Sequence, residues 1–396
     1  MTDKVILAFS GGLDTSYCVK HLANDRNLEV HAVLVNTGGF SSAELKEVEE
    51  RAMSLGVASF VALDKVEVYY QQVIKFLIFG NVLKNNTYPL SVSAERTVQA
   101  VAIAEYAQKL GANYIAHGST GAGNDQVRFD LVFQTLAPNC EILTPIRDLQ
   151  LSREQEIEYL TNCGVEASWE KSKYSINKGL WGTSVGGVET LTSNTPLPEE
   201  AWPSQLEKKE NEQISLEFEE GEPVGLNGKK LGAVKTIEAL NVLGGSYAIG
   251  RDIHIGDTII GIKGRVGFEA PGAIMIIKAH HSLEKHTLSK WQLNYKEQLG
   301  SWYGMLLHEA QYLDPVMRNI EAFLADSQKQ VTGSVKLTLA PYRFMVDGIE
   351  SPNDLMTNDF GAYGEMNKAW SGDDVKGFTK VMANQHQIFN YITSKK

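Results

Sequence analysis

The sequence predicts an α/β protein in which a doubly wound parallel sheet is followed by a second, α+β domain and a C-terminal helical tail. In the first half of the chain, short apolar runs alternate with helical patterns, which is typical of a parallel sheet covered by helices. After about Trp169 this alternation stops, and prolines and turns separate the strand and helix candidates. The segment from residue 366 onwards is polar and carries one helical pattern. We therefore expect domains over residues 1–170 and 171–365 and a tail over residues 366–396.

The parallel sheet is predicted from apolar runs and helix-start signals. The run at residues 4–10 is typical of a strand buried on both faces. Ser41-x-x-Glu44 and Ser152-x-x-Gln155 are capping boxes that each open a helix. The other strands expected here are residues 29–35, 59–63, 113–117 and 141–145. The other helices expected here are residues 15–26, 66–79 and 93–110. Right-handed crossovers then place the turns that follow the strands at one edge, where ligands bind.

The second half has a different pattern. Pro196, Pro198 and Pro203 indicate a region rich in loops. The expected strands are residues 214–218, 258–263 and 335–339. The expected helices are residues 271–284, 291–307 and 316–328, with residues 377–391 as the tail helix. The tail helix must bury its apolar side, on another subunit or on its own chain.

Composition narrows the class of protein. The chain of 396 residues has 43% hydrophobic and 21% charged residues, which suits a folded core. Its net charge of −11 argues against a protein that mainly binds nucleic acid or an anionic membrane. Cys18, Cys140 and Cys163 are far apart, which suits a reducing cytoplasm and neither a zinc site nor a disulfide framework. No apolar run approaches the roughly 18 residues of a membrane span, and the N-terminus predicts a strand rather than a signal peptide.

The most informative string is SGGLDTS at residues 10–16, where the first strand ends and a helix begins. Free N–H groups at a helix N-terminus form an anion site, and Ser10, Thr15 and Ser16 add hydroxyl groups. An ordinary strand–turn–helix corner would explain two glycines, but it explains this convergence of small polar groups less well. The string has neither the lysine of the common NTPase loop nor the G-x-G-x-x-G of dinucleotide sites.

A second string, AHGSTGAGNDQVRF at residues 116–129, also follows a predicted strand. Its glycines allow a ligand to approach the backbone closely. Asp125 suits an ammonium group, Arg128 suits a carboxylate, and Thr120 and Asn124 suit neutral polar atoms. These are the groups needed to hold amino acids. The alternative is a capped helix with a surface Asp–Arg pair and no ligand. The expected position of this string beside the first loop disfavours that alternative.

The first string resembles the pyrophosphate-loop (PP-loop) ATPases, also called N-type ATP pyrophosphatases, and the second closely resembles the signature of the argininosuccinate synthases. Further motifs follow in that family's order at residues 88–96, 173–175, 180–184, 186–188, 226–228, 250–251 and 331–333. The resemblance implies a cytoplasmic, homotetrameric ligase of arginine biosynthesis. It would condense citrulline with L-aspartate, using ATP and Mg²⁺, to give argininosuccinate, AMP and pyrophosphate. The first domain would bind ATP, the second would be the synthetase domain, and the tail would serve oligomerisation.

The resemblance also implies site residues. The ATP contacts would be Ala8, Phe9, Ser10, Gly11, Gly12, Leu13, Asp14, Thr15 and Ser16, with Val35 and Gly118. The aspartate contacts would be Thr120, Asn124 and Asp125. The citrulline contacts would be Tyr88, Ser93, Asn124, Arg128, Ser175 and Ser184, with Arg96 as a spare cation nearby. Ser10, Asp14, Ser16 and Asp125 are assigned to catalysis. No metal-binding side chains are predicted, and the histidines at 280, 281 and 286 are expected to be structural.

Three positions depart from the family pattern. Ala122 replaces a lysine, Gly256 replaces a glutamate that helps to bind citrulline, and Phe268 replaces a tyrosine. One interpretation of these departures is evolutionary drift, with waters or neighbouring residues replacing the lost contacts. The other is that the true substrate is an N-acylated (acetyl or succinyl) citrulline whose α-nitrogen is uncharged. Gly256 would then make room for the acyl group, and a nearby cation could meet a second carboxylate. The candidate cations are Lys173, Arg251, Lys263 and Arg265.

Two other function classes remain open from the residues. A PP-loop enzyme that modifies tRNA would need a basic face and usually reactive cysteines, which the acidic charge and scattered cysteines disfavour. A catalytically silent binder of ATP or amino acids is disfavoured by the intact loop at residues 10–16.

Overall fold

A computed structural model describes residues 3–165, 169, 173–361, 363–365 and 369–395. The chain divides into two compact units, residues 1–352 and 353–396. The larger unit contains all three sheets of the described chain, and the smaller unit contains one long helix.

The first sheet has five parallel strands in the order β3-β2-β1-β4-β5. The strands are β1 (Lys4–Ala8), β2 (Glu29–Asn36), β3 (Ser59–Asp64), β4 (Tyr114–His117) and β5 (Glu141–Leu143). In β1, Leu7 lies between Ala32 of β2 and Ala116 of β4. The connections reverse direction between β1 and β4, and such a switch point opens a ligand crevice at the carboxyl ends of the strands.

Helices cover both faces of this sheet, as the sequence predicts. The helices of this half of the chain are α1 (Leu13–Asn24), α2 (Ser42–Ser54), α3 (Val66–Tyr69), α4 (Lys75–Phe79), α5 (Ser91–Leu110), α6 (Asp125–Leu136), α7 (Pro145–Leu149) and α8 (Arg153–Asn162). Of these, α4 packs away from the sheet, because its Leu77 and Ile78 are buried in a core formed with the second half of the chain. A π-helical segment, Tyr70–Ile74, joins α3 to α4, so the helix predicted over residues 66–79 is one run with an irregular middle. Leu7 of β1 packs with α1 and α2 on one face, and Ile6 packs with α5 and α6 on the other. The predicted capping boxes at Ser41 and Ser152 are both formed.

The second half builds two antiparallel sheets, in the orders β10-β9-β8-β13-β14 and β11-β12-β7-β6. The strands are β6 (Ser175–Gly179), β7 (Gly182–Gly186), β8 (Glu212–Glu219), β9 (Glu222–Leu226), β10 (Lys229–Lys230), β11 (Arg251–Asp257), β12 (Lys263–Glu269), β13 (Gly333–Ala340) and β14 (Arg343–Glu350). The helices are α9 (Ala233–Ser246), α10 (Pro271–Thr287), α11 (Lys290–His308) and α12 (Pro315–Ser327). Short 3-10 helices lie at Val188–Leu191, Glu199–Ala201, Gln311–Leu313 and Gln328–Gln330.

The strand predicted over residues 258–263 is wrong. This segment is the turn that joins β11 to β12, and only Lys263 belongs to a strand. Thr258 closes the turn by donating from its Oγ1 to the carbonyl of Ile262 over 2.7 Å. Gly261 has a φ of 84°, a left-handed conformation that glycine adopts without strain. The apolar residues of this segment therefore suggested a strand where the chain forms the turn between two strands.

The smaller unit contains α13 (Gly372–Thr393), which extends the predicted tail helix by one to two turns. Ser371 and Asp374 form a capping box at its start. Its apolar side chains, including Phe378, Met382 and Phe389, are exposed. None of the helices in the described ranges is long and apolar enough to span a membrane.

Candidate active site

A cavity of about 990 Å³ lies at the carboxyl ends of β1, β2 and β4, at the switch point of the parallel sheet. Both predicted loops line it, and residues 175–178 of β6 complete one wall. The predicted ATP residues that line it are Ala8, Phe9, Ser10, Gly12, Leu13, Asp14, Thr15, Val35 and Gly118. The predicted amino-acid contacts that line it are Arg96, Thr120, Asn124, Asp125, Arg128 and Ser175. The remaining predicted residues, Gly11, Ser16, Tyr88, Ser93, Ser184, Gly256 and Phe268, are outside this lining.

The first loop is an open helix N-terminus. Gly11 has a φ of 78°, and Gly12 is extended immediately before α1. The hydroxyls of Thr15 and Ser16 donate to the carbonyl of Gly12 over 3.2 and 2.8 Å, so they brace the corner from within. No side chain among the described residues caps the first N–H groups of α1. These unpaired donors are suited to the oxygen atoms of a phosphate.

A second carboxyl group lies behind Asp14. Glu156 of α8 is buried within hydrogen-bond reach of Asp14, and its Oε2 has no partner in the described part of the chain. Burial, and then the neighbouring Asp14, raise the pKa of Glu156 to about 8. This residue was not predicted, since the helical pattern around it suggests a solvated face.

The second loop approaches the first within van der Waals contact. A Cβ added to Gly118 would lie 3.3 Å from the backbone carbonyl carbon of Asp14, so glycine allows the two loops to meet. His117, buried at the end of β4, bonds through Nε2 to Asp130 over 2.9 Å. The N–H of Ser119 donates to the other ring nitrogen of His117 over 3.2 Å. The strings at residues 10–16 and 116–129 therefore form one site.

Two arginines converge on Asp125 at the start of α6. Arg96 donates to it from Nε over 3.0 Å, and Arg128 donates from Nη1 over 3.1 Å. Burial alone would raise the pKa of Asp125, but the two guanidinium groups outweigh burial and hold the pKa below its usual value. Asp125 is therefore an anion at neutral pH, and it fixes both cations beside the cavity.

Arg96 is not the spare cation that the sequence suggests. Besides Asp125, its guanidinium donates to Glu95, Gln99 and Asn177 over 2.9, 2.9 and 3.1 Å. Asn177 belongs to β6, so Arg96 joins the parallel sheet to the second half of the chain. It positions the wall of the cavity.

Arg128 has a donor to spare. Its Nη2 donates to Ser93 Oγ over 3.2 Å and to the carbonyl of His308 over 3.1 Å, while its Nε has no partner within the described ranges. The residue is 3% exposed. A buried guanidinium with an unpaired N–H is suited to a carboxylate.

Glu95 is a functional candidate that the sequence reasoning missed. It is buried, accepts from Thr37 Oγ1 over 3.1 Å and from Arg96, and lines the cavity. Burial raises the pKa of Glu95 to about 7, against the opposing effect of Arg96. The sequence signal that could have identified Glu95 is its position inside the family motif at residues 88–96.

The remaining predicted contacts lie around a β-hairpin. The ring of Tyr88 is 5.3 Å from that of Phe268, and Phe268 of β12 pairs with Ser184 of β7. The hydroxyl oxygen of Tyr88 accepts from the N–H of Val92 over 3.1 Å. The turn before β12 reaches the second loop, where the N–H of Ile259 donates to Asn124 over 2.8 Å. The hairpin thus touches residues predicted for both amino acids.

Each of the four cations considered for a second carboxylate has a partner, although the Nε of Arg265 has none among the described residues. Lys173 pairs with Glu200, Lys263 with Asp257, and Arg251 with Glu269, while Arg265 donates to the carbonyls of Glu189, Thr192 and Thr195.

Comparisons with known proteins match the whole length of the chain. The family described as arginosuccinate synthase N-terminal HUP domain matches residues 4–166, and the arginosuccinate synthase C-terminal domain matches residues 174–389. The chain belongs to the argininosuccinate synthase family. An argininosuccinate synthase from Methanocaldococcus jannaschii is 38% identical over 394 residues, which are 99% of both chains. Those from Dictyoglomus thermophilum and Xanthomonas axonopodis pv. citri are 38% identical over 391 residues and 37% identical over 400 residues. These alignments cover 98% of this chain and 97% and 95% of the relatives.

Membership of the argininosuccinate synthase family confirms the predicted resemblance, and the parallel sheet confirms the predicted fold class. The individual roles of the site residues stay predictions. The structure brings Ser10, Asp14, Asp125 and Arg128 together around one cavity.

Proposed function

We propose that the chain is a C–N bond-forming ligase of arginine biosynthesis that condenses citrulline with L-aspartate at the expense of ATP. The observation that carries the proposal is that one cavity is lined both by the uncapped start of α1 and by Asn124, Asp125 and Arg128. The first is suited to phosphates and the second to the charged groups of amino acids. Family membership supports the same activity. The products are argininosuccinate, AMP and pyrophosphate.

The chemistry needs no side-chain nucleophile. The ureido oxygen of citrulline attacks the α-phosphate of ATP and displaces pyrophosphate, which gives a citrullyl-adenylate. The amine of aspartate then attacks the activated ureido carbon, and the ureido oxygen departs with AMP. Catalysis consists of positioning the reactants, stabilising charge on phosphate and excluding water from the adenylate.

Each group of residues has a part in this scheme. The first N–H groups of α1, with the hydroxyl of Ser10, hold the phosphates that leave as pyrophosphate, and Asp14 orients this corner. Ser16 supports the corner through its hydrogen bond to the carbonyl of Gly12. Asp125, held by Arg96 and Arg128, and its neighbours Thr120 and Asn124 bind aspartate. Arg128 offers its free Nε–H to the carboxylate of citrulline. Val35 and Gly118 lie against the nucleotide.

Mg²⁺ is proposed as the companion of ATP. No cluster of three or more His, Cys, Asp or Glu side chains occurs among the described residues. Mg²⁺ commonly keeps several waters and is carried by phosphate oxygens, so a dedicated protein cage is not required. When bound, the ion neutralises charge on the departing pyrophosphate.

Isotope transfer tests the proposal. Citrulline labelled with ¹⁸O in the ureido group is incubated with ATP, Mg²⁺ and aspartate, and products are followed by mass spectrometry. We expect argininosuccinate, one pyrophosphate per AMP, and ¹⁸O in the phosphate of AMP. Pyrophosphate release that requires RNA and ignores aspartate would instead indicate a tRNA-modifying enzyme. The absence of release under every condition would indicate a silent binder.

Free citrulline is the proposed substrate, and N-acetyl- or N-succinylcitrulline is the alternative to be compared. The room that Gly256 was expected to provide for an acyl group is occupied, since a Cβ at that position would lie 2.7 Å from His254 and 3.3 Å from Asn85. Measurement of kcat/KM for the three compounds decides between them, and a higher value for an acyl form would reverse the assignment.

We also propose that the protein is a cytoplasmic homotetramer, with domains at residues 1–170 and 171–365 and a tail at 366–396 that mediates assembly. The exposed apolar side chains of α13 support this role for the tail. Light scattering on the full chain and on a Phe378→Ser, Met382→Ser variant is the test. We expect a tetramer that dissociates in the variant, and an unchanged mass would remove the tail from the assembly.

A further inference from the structure

One face of the β11–β12 hairpin is directed at Tyr88. His254 and Gly256 of β11 lie on this face, since they pair with Val266 and Gly264 of β12, two and four residues before Phe268. The imidazole of His254 stacks on the ring of Tyr88 with a centroid distance of 5.0 Å and an interplanar angle of 24°. His254 therefore stands beside residues predicted to contact citrulline.

His254 fills the space that a side chain at position 256 would need. The Nε2 of His254 lies 2.7 Å from the point where a Cβ on Gly256 would be, closer than any real Cβ contact. The amide nitrogen of Asn85 is 3.3 Å from the same point. Any larger residue at 256 would have to displace the imidazole. The glycine and the histidine are thus structurally linked, and Gly256 does not leave a void.

The imidazole is neutral and has unused hydrogen-bonding capacity. His254 is 6% exposed, and its Nδ1 has no partner in the described part of the chain. Burial, and then the charge of Lys84, lower the pKa of His254 to about 4. At neutral pH, one of its ring nitrogens therefore carries a lone pair that can accept a hydrogen bond.

We propose that His254 is a specificity-determining residue that accepts a hydrogen bond from the α-ammonium group of citrulline. This inference rests on the proposed function and deepens it, because it assigns a partner to the substrate atom that lacks one. In the proposed function, the carboxylate of citrulline is assigned to Arg128, whose Nε–H has no partner in the described part of the chain.

The neighbouring groups leave few other acceptors for that ammonium group. Phe268 offers no polar atom, and the Tyr88 hydroxyl already accepts from the N–H of Val92 and contacts the hydroxyl of Ser91. Asp125 is shared by Arg96 and Arg128. A neutral imidazole accepting from an ammonium forms a charge-assisted hydrogen bond, which is stronger than a bond between neutral groups.

The decisive experiment compares citrulline with 5-ureidopentanoate, the analogue that lacks only the α-amino group, in the wild type and in His254→Ala. In the wild type we expect kcat/KM to favour citrulline, and in His254→Ala we expect that preference to fall about 10- to 100-fold. The KM values for ATP and aspartate should change less than about threefold. An unchanged preference in a folded, active variant would overturn the proposal.

A pair of further variants tests the link to Gly256 and guards against misfolding. Gly256→Glu alone should be severely impaired because its side chain collides with His254. The double variant His254→Ala, Gly256→Glu should recover most of the preference for citrulline, because a carboxylate can then reach the ammonium group. A double variant no better than Gly256→Glu alone would also overturn the proposal. If the wild type fails to use citrulline at all, the proposed function fails instead.

Discussion

Asp125 accepts a hydrogen bond from Arg96 over 3.0 Å. This bond and a second one from Arg128 fix the orientation of the carboxylate. The bond from Arg96 crosses from α5 to α6, so two helices on one face of the sheet are joined beside the cavity. Because Arg96 also reaches Asn177 of β6, the carboxylate is tied to the second half of the chain. A change at Asp125 therefore affects both the charge and the shape of the site.

We expect Asp125→Asn to lower kcat/KM for aspartate by at least about 100-fold. The amide can accept from only one guanidinium through its single oxygen, which leaves a buried cation without its anion at a cost of about 3–5 kcal/mol. Steady-state kinetics with each substrate varied in turn is the measurement. Asp148→Asn is the control, because Asp148 is 61% exposed and lies 3.7 Å from Arg147. Equal losses in the two variants would contradict the role of Asp125.

The backbone of the first loop gives a second prediction. Gly11→Ala places a Cβ at a φ of 78° and 3.3 Å from Val48, so it should destabilise the fold by about 1–2 kcal/mol and raise KM for ATP at least about tenfold. Gly56→Ala is a matched control, since Gly56 has a φ of 86° and nothing within 4 Å of the added Cβ. We expect both variants to melt earlier and only Gly11→Ala to bind ATP more weakly. A similar KM in both would show that the corner does not hold the nucleotide.

The sequence predicts the parallel sheet well because its signals are local. An apolar run such as residues 4–10 can be buried only inside a covered sheet, and the capping box at Ser41 is complete within four residues. The hairpin of β11 and β12 was missed for the opposite reason. In β11 the apolar residues Ile253 and Ile255 alternate with charged, polar and glycine residues, and β12 has only Val266 and Phe268, whereas Ile259, Ile260 and Ile262 are concentrated in the turn. Local hydrophobicity therefore indicated the wrong segment.

The same distinction explains the site. The glycine-rich loops carry their function in consecutive residues, and the sequence identifies them. The surroundings of Glu95 and His254 depend instead on residues that are distant in sequence. Glu95 accepts a hydrogen bond from Thr37, and His254 stacks on Tyr88, and only the folded chain brings these residues together. The motif at residues 88–96 points to the neighbourhood of Glu95 but not to its partner, and a histidine in a strand gives no local sign of such a contact.

A buried ion pair outside the site gives a third prediction. Lys296 of α11 pairs with Glu284 of α10 over 2.8 Å and donates to the carbonyl of Phe79 over 2.7 Å, with both side chains 1% exposed or less. Lys296→Met should lower the free energy of unfolding by about 3–5 kcal/mol, because Glu284 is left as a buried carboxylate without its cation. Denaturant titration measures this. The exposed pair of Lys46 and Glu50, 3.9 Å apart, is the control, and Lys46→Met should cost less than about 0.5 kcal/mol.

Glu95 gives a prediction for the dependence of stability on pH. Its pKa is about 7 in the folded protein, above the ordinary 4.5, so the folded state holds an extra proton between these values. The stability associated with that proton is fully present below pH 4.5 and is lost as the pH rises through 7, a change of about 3 kcal/mol. Glu95→Gln cannot titrate and should lack this change. The free energy of unfolding of Glu95→Gln, relative to that of the wild type, should therefore increase between pH 5 and about 7.5.

The control for this prediction lies on the same helix. Glu105 of α5 is exposed, so Glu105→Gln should leave the pH profile parallel to that of the wild type. Urea titrations of the three proteins across the pH range provide the comparison. A Glu95→Gln profile that also runs parallel to the wild type would mean that Glu95 is ionised throughout, as an anion permanently paired with Arg96. Since Arg96 would then share its charge between two carboxylates, the orientation of Asp125 would depend on Glu95 at every pH.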